Sequence, residues 1–254
     1  MKVTDKIVVV TGGASGIGRA MARRFAAEGA RHVAVADLQA SAAQRVAAEI
    51  HGSAHAVDVS SERDIVALID EVEHDHGPID LFCSNAGIGI GRGLDEPDGV
   101  WQKIWEVNVM SHVYAARHLV PRMAARGGGY LLNTASAAGL LSQIGSVTYA
   151  VTKHAAVALA EWIAITHGHE GIKVSVLCPQ AVRTPMTAGN EQGVASVDGM
   201  MEPEQVAGAV IEALDQERFL VLPHPEVAEY IKRKTADYDR WLKGMRRLAE
   251  QYRA

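Results

Sequence analysis

Cysteine is almost missing from this 254-residue chain: Cys83 and Cys178 are the only two, each inside an apolar run. A disulfide-stapled fold is excluded on that ground, and both are read as small buried thiols of a reduced compartment. Long apolar runs are missing as well. No stretch approaches the ~18 residues of a membrane span, and the apolar run in "KIVVV" meets glycines too soon for a signal-peptide core. A cytoplasmic location is therefore expected. There is no excess of positive charge either. A formal net charge of -5 offers no basic face to a nucleic-acid backbone. Repeats, low-complexity tracts and linkers are not found, which makes residues 1–254 one domain with a sizeable core.

What the chain does have is alternation. "KIVVV" (6–10), "HVAVAD" (32–37), "SAHAVDV" (53–59), "IDLFCSNAG" (79–87), "YLLNTAS" (130–136), "KVSVLCP" (173–179) and "FLVLP" (219–223) read as about seven strands. Ala-rich stretches between them read as helices, including a long one around 100–125 and another over about 147–168. Continuous apolar strands joined by helices predict an α/β fold: a doubly wound parallel sheet covered on both faces. Segments 88–99 and 185–202 follow strand ends, where open α/β sheets bind ligands. The tail, about 226–254, carries Tyr238, Trp241, Leu242, Met245, Leu248 and Tyr252 at helical spacing among Lys and Arg. It reads as an amphipathic helix docked on its own domain or on another subunit.

"TGGASGIG" (11–18) follows the first strand and opens the first helix. Gly12, Gly16 and Gly18 allow a tight turn and close backbone approach, and the helix N-terminus offers free N–H groups to a pyrophosphate. No Lys-Ser/Thr follows, so it is not a P-loop. Asp37 ends the second strand, 19 residues after Gly18, where a carboxylate accepts both ribose hydroxyls of an adenosine and repels a 2′-phosphate. Ser15, Leu38 and Gln39 bring no cation to that spot, which favours NAD over NADP.

"YAVTK" sets Tyr149 and Lys153 one helical turn apart, but "YIKRK" repeats that spacing at Tyr230 and Lys234. Around the first pair, the chain resembles the short-chain dehydrogenase/reductase family over nearly its whole length. The residues that carry the resemblance are "TGGASGIG", Asp58, "NAG" (85–87), Asn108, Ser136 and "YAVTK". Ser136 stands 13 residues before Tyr149, as the family's catalytic serine does, whereas Glu217 holds that place before Tyr230. Tyr149–Lys153 is thus the working pair, and Tyr230–Lys234 is read as coincidence with no polar constellation nearby.

The resemblance implies a Rossmann fold and hydride transfer between NAD(H) and a secondary alcohol or ketone. Tyr149 would be the general acid/base, Ser136 would hold the substrate oxygen, and Asn108 would support a water-linked proton path to Lys153. For the cofactor it implies Gly12, Ser15, Gly16, Ile17, Gly18, Asp37, Asp58, Val59, Asn85, Ala86, Gly87, Tyr149, Lys153, Pro179, Val182 and Thr184. Lys153 is further expected to lower the Tyr149 pKa from ~10: a charge at ~4 Å is worth about 4 kcal/mol, some three pH units. Family members commonly place glycine after the proline of strand six, and this chain has Gln180, expected to narrow the pocket or touch substrate. A dimer or tetramer is implied as well. A non-catalytic NAD(H)-binding regulator on the same fold is the alternative. No histidine pair sits in a metal-ligand motif, so no metal is expected. Apolar residues in 137–148 and 185–202 suggest an apolar substrate.

Overall fold

The computed structural model describes residues 1–252. The order along the chain begins β1 (Ile7–Thr11), α1 (Gly16–Ala27), β2 (His32–Asp37), α2 (Ala40–Ile50), β3 (Ser53–Ala56), α3 (Glu62–His76) and β4 (Leu81–Ser84). It continues α4 (Asp98–Trp105), α5 (Ser111–Ala125), β5 (Gly129–Thr134), α6 (Ala138–Leu141), α7 (Val147–His167) and β6 (Ile172–Leu177). It closes with α8 (Pro203–Asp215), β7 (Leu220–Val221), α9 (Glu226–Ala236) and α10 (Tyr238–Gln251).

All seven strands are parallel, in the order β3-β2-β1-β4-β5-β6-β7. β1 shows why both faces are covered. Successive side chains of a strand point to opposite faces. Ile7 and Val9 pack with Ile69, Leu119 and Ile163 of α3, α5 and α7. Val8 and Val10 pack with Met21, Phe25, Val210 and Leu214 of α1 and α8 on the other side. The order reverses between β1 and β4, so the loops after those strands diverge and open a crevice at the carboxyl edge. This is the Rossmann-like arrangement expected from the alternation.

Local chemistry sets several boundaries. Ser61 caps α3, accepting from the Asp64 N–H, and Gly77 follows its end. Pro203 opens α8 behind a Glu202–Gln205 capping box. The long helix expected around 100–125 is two helices joined by a π-helical turn, Glu106–Met110, with Asn108 inside it. A π-turn inserts an extra residue, which periodicity does not reveal. The tail is likewise two helices, broken where Asp237 takes an extended conformation (φ -156°, ψ 97°) and caps α10. Part of the 137–148 loop winds into α6.

Candidate active site

The crevice at the sheet's carboxyl edge is a cleft of about 1350 Å³. Every residue expected at the cofactor and the chemistry lines it except Asn108, which is fully buried behind it. Cys83 and Cys178 are free and buried. No helix among the described residues is long and apolar enough to cross a membrane.

One end is the glycine turn. Gly12 has φ +63°, and a Cβ on it would stand 2.9 Å from the Ala86 Cα. A Cβ on Gly18 would stand 2.1 Å from the Gly12 carbonyl oxygen and 2.7 Å from Asn85 Nδ2. Only glycine lets these backbones approach so closely. Ser15 caps α1 without a side-chain bond to the first turn, so those N–H groups keep no side-chain acceptor. Asn85 ties the turn to the sheet. Its backbone N–H donates to Thr11 Oγ1 (2.9 Å), its Nδ2 to Thr11 O (3.1 Å), and Thr134 Oγ1 donates to its Oδ1 (3.1 Å).

The Asp37 carboxylate is partly spent on the chain itself, accepting from the Ala14 N–H (3.1 Å) and the Gln39 N–H (3.0 Å). That fixes its direction at the end of β2. Asp58 accepts from the Ser60 N–H and hydroxyl (2.9 and 2.6 Å), which hold its carboxyl below the usual range against the opposing effect of burial. Thr184, in the loop after β6, touches the turn: its Cγ2 lies 2.9 Å from where a Gly16 Cβ would be.

Ser136, Tyr149 and Lys153 converge midway along the cleft. α7 carries Tyr149 and Lys153, and Ser136 follows β5. Lys153 is buried and its Nζ donates to Thr134 O (3.0 Å). Burial pushes its pKa down from 10.5 to about 8. Burial pushes the Tyr149 phenol up, opposed by a hydrogen bond with the Ser136 side chain. The expected lowering of the phenol by Lys153 is therefore not what the protein by itself displays. Desolvation destabilises the phenolate and the ammonium alike, and Nζ sits 5.6 Å from the ring centroid.

The Asn108 side chain is fully engaged. Its Oδ1 accepts from the Ile88 N–H (2.9 Å), and its Nδ2 donates to Ile88 O (2.9 Å) and Thr152 Oγ1 (3.3 Å). It pins the loop after β4 against α7, and Oδ1 and Lys153 Nζ flank Gly87 at 3.3 and 3.4 Å from a Cβ placed there.

One reading changes. Tyr230 and Lys234 are not isolated. The Tyr230 hydroxyl donates to Asp198 (2.8 Å) and its residue lines the cleft, while Lys234 Nζ donates to Leu140 O (2.6 Å). The pair anchors the tail over the cleft, a role that spacing cannot reveal because its partners are distant in sequence. Gln180 does line the cleft, but its Nε2 donates sideways to Asp198 (3.0 Å), leaving Oε1 without a partner. Ser142 was not singled out from sequence. It lines the cleft with φ 102° and ψ 170°, a conformation that strains any residue but glycine.

A family model described as short chain dehydrogenase matches residues 6–195. The chain belongs to the short-chain dehydrogenase/reductase family. As a member of that family it is similar to 1-deoxy-11β-hydroxypentalenate dehydrogenase of Streptomyces exfoliatus, with 37% identity across 89% of this chain and 86% of that one. It also resembles meso-2,3-butanediol dehydrogenase of Serratia marcescens (34% identity, 83% and 87% covered). Among solved structures, a short-chain dehydrogenase/reductase from Burkholderia phymatum in complex with NAD superposes with a TM-score of 0.85. It is 27% identical, over 94% of this chain and 96% of that one. The fold, the cleft and the family together make this short-chain dehydrogenase/reductase an oxidoreductase that uses a nicotinamide dinucleotide.

Proposed function

We propose that the whole chain acts as one NAD-dependent unit that interconverts an apolar secondary alcohol and its ketone. The observation that carries this is the meeting of a phenol, a serine hydroxyl and a buried ammonium in the cleft that begins at the glycine turn. A binding protein has no use for that trio. The residues present fit the dinucleotide: a Cβ would fill the cradle at Gly12 and Gly18, and α1 presents its N-terminus there. Asp37, with the neutral Leu38 and Gln39 beside it in the cleft wall, favours NAD over NADP.

Bound NAD supplies the hydride acceptor for oxidation, and NADH the donor for reduction. The chain handles the proton. Ser136 holds the substrate oxygen beside Tyr149. In oxidation the Tyr149 phenolate takes the hydroxyl proton as the C–H bond gives up its hydride; in reduction the phenol returns it to the carbonyl oxygen. Lys153 anchors that corner through Thr134 and would hold the cofactor ribose. Asn108 acts as a positioning residue for the loop after β4 and supports the proton path toward Lys153. A phenol is protonated at neutral pH and burial shifts it further that way, so the chain by itself offers Tyr149 as the acid for reduction.

Met186, Ile144, Leu141 and Val197 give the substrate end its apolar surface. The two curated relatives, named for a hydroxypentalenate and a butanediol, support a small hydroxylated substrate. Trp105, Val151, Trp162 and Ile165 are exposed on α4 and α7, and we assign them to a subunit contact in a dimer or tetramer. The test is NADH formation from NAD with a panel of cyclic secondary alcohols, beside Tyr149→Phe. Turnover that disappears in the variant while NADH binding persists is expected. Turnover that survives removes Tyr149 as the base, and silence with tight NADH binding points to a regulator instead.

A further inference from the structure

The outer wall of the cleft is the C-terminal helix pair. α10 is amphipathic, yet none of its residues is buried. Trp241, Met245 and Leu248 line the cleft and are each only partly covered, Trp241 by packing against the cluster of Ala137, Leu141 and Val227. Three arginines line the same wall: Arg233 on α9, and Arg240 and Arg247 on α10. Each is seven residues from the next. On α10 that interval is two turns, roughly 10 Å, so Arg240 and Arg247 share one edge of the helix.

None of the three guanidinium groups has a carboxylate partner among the described residues. Two acids at the same wall have other partners. Asp237 accepts from the Arg240 N–H (2.9 Å) to cap α10. Asp198 holds the Tyr230 hydroxyl and the Gln180 carboxamide. Arg233 stacks over the Tyr230 ring at 5.8 Å, which restrains it at the wall. Arginine forks suit carboxylates, and beside an apolar wall they select molecules with an oily body and an anionic end. The cleft exceeds the ~300–1000 Å³ of an ordinary ligand site, which leaves room beyond the dinucleotide.

We propose that Arg233, Arg240 and Arg247 bind a carboxylate carried by the substrate, at the end away from its hydroxyl, while Trp241, Met245 and Leu248 cover its apolar body. This rests on the reading of the cleft as a secondary-alcohol site and narrows that substrate to a hydroxy or keto acid.

The experiment is calorimetric titration of the full chain, saturated with NADH, with decanoate and with its neutral counterpart decanamide. Wild type is expected to bind decanoate at least tenfold more tightly at low salt. Arg240→Gln/Arg247→Gln is expected to bring that ratio near one. Arg246→Gln removes the same charge from the same helix at a position outside the cleft, and is expected to keep the preference. Equal binding of the two ligands by wild type overturns the proposal, as does a preference that survives the double substitution. A double variant that changes sedimentation mass but not the decanoate preference also overturns it, assigning the arginines to a subunit contact. A decanoate preference that needs the arginines, in a protein that oxidises no secondary alcohol, keeps the anion site and sinks the dehydrogenase reading. Turnover of neutral and acidic alcohols with the same KM does the reverse.

Discussion

Replacing Lys153 by methionine is expected to stabilise the protein while stopping its chemistry. The ammonium is buried, and its pKa falls from 10.5 to about 8 for that reason. At 1.36 kcal/mol per pH unit, holding it charged in the fold costs about 3 kcal/mol at pH 7. Methionine fills much of the same space without the charge, but leaves Thr134 O without its 3.0 Å donor, a loss of about 1–2 kcal/mol. The net gain is about 1–2 kcal/mol, or a Tm higher by roughly 2–8 °C for a chain of this size. The pH dependence gives a second, independent reading. Between pH 8 and 10.5 the unfolded wild type holds a proton that the native state has shed, so wild-type stability rises with pH. The advantage of Lys153→Met should fall by about 1.4 kcal/mol per pH unit in that window, changing sign within it, and be constant below it. Thermal unfolding of both proteins without cofactor, followed by circular dichroism from pH 6 to 10.5, makes the measurement. A variant that melts lower at pH 7, or a gap indifferent to pH, would refute the account of a strained buried cation.

Three further outcomes are expected. His112, fully buried, has its pKa pushed down to about 3 by burial first and the Lys153 charge second, against an opposing contact with the Asn133 side chain. The unfolded chain takes up that proton below pH 6.5, so His112 costs stability as pH falls toward 3; His112→Phe should flatten the acid limb by about 1.4 kcal/mol per pH unit in urea titrations. Ser142→Gly relieves the backbone at φ 102° and should raise stability by about 1 kcal/mol; a lower urea midpoint would contradict the strain. Gly18→Ala drives a methyl into the Gly12 carbonyl and should reduce NADH affinity, read by fluorescence titration, by at least tenfold; retained affinity would mean the turn is not the pyrophosphate cradle.

Much of the fold could be read from sequence because its signals are local. β-branched runs such as "IVVV" mark strands wherever they fall, and "TGGASGIG" needs only its own glycines and the following helix to form a turn. The order of strands and helices implied a parallel sheet, and the spacing of Ser136 from Tyr149 singled out the pair that we propose reacts. The seven-stranded parallel sheet agrees with that reading; the strand order and the crevice between β1 and β4 came from the structure. What misled was equally physical. A hydroxyl and an ammonium one turn apart suggest mutual charge stabilisation. Only packing reveals that both are desolvated, and that burial outweighs the Ser136 hydrogen bond at the phenol.

The chain's own pattern thus determined the strand alternation, the glycine turn, the carboxylate at the end of β2 and the Tyr149–Lys153 pair, since each rests on neighbours within a few residues. Tertiary structure alone decided where the tail goes. Trp241 and the three arginines face the cleft because Tyr230 reaches Asp198 and Lys234 reaches Leu140, contacts spanning 32 and 94 residues. It also decided that Asn108 sits in a π-turn pinning Ile88, and that His112 is fully buried within reach of the Lys153 charge. Long-range packing sets burial, and burial sets the charges with which this site works.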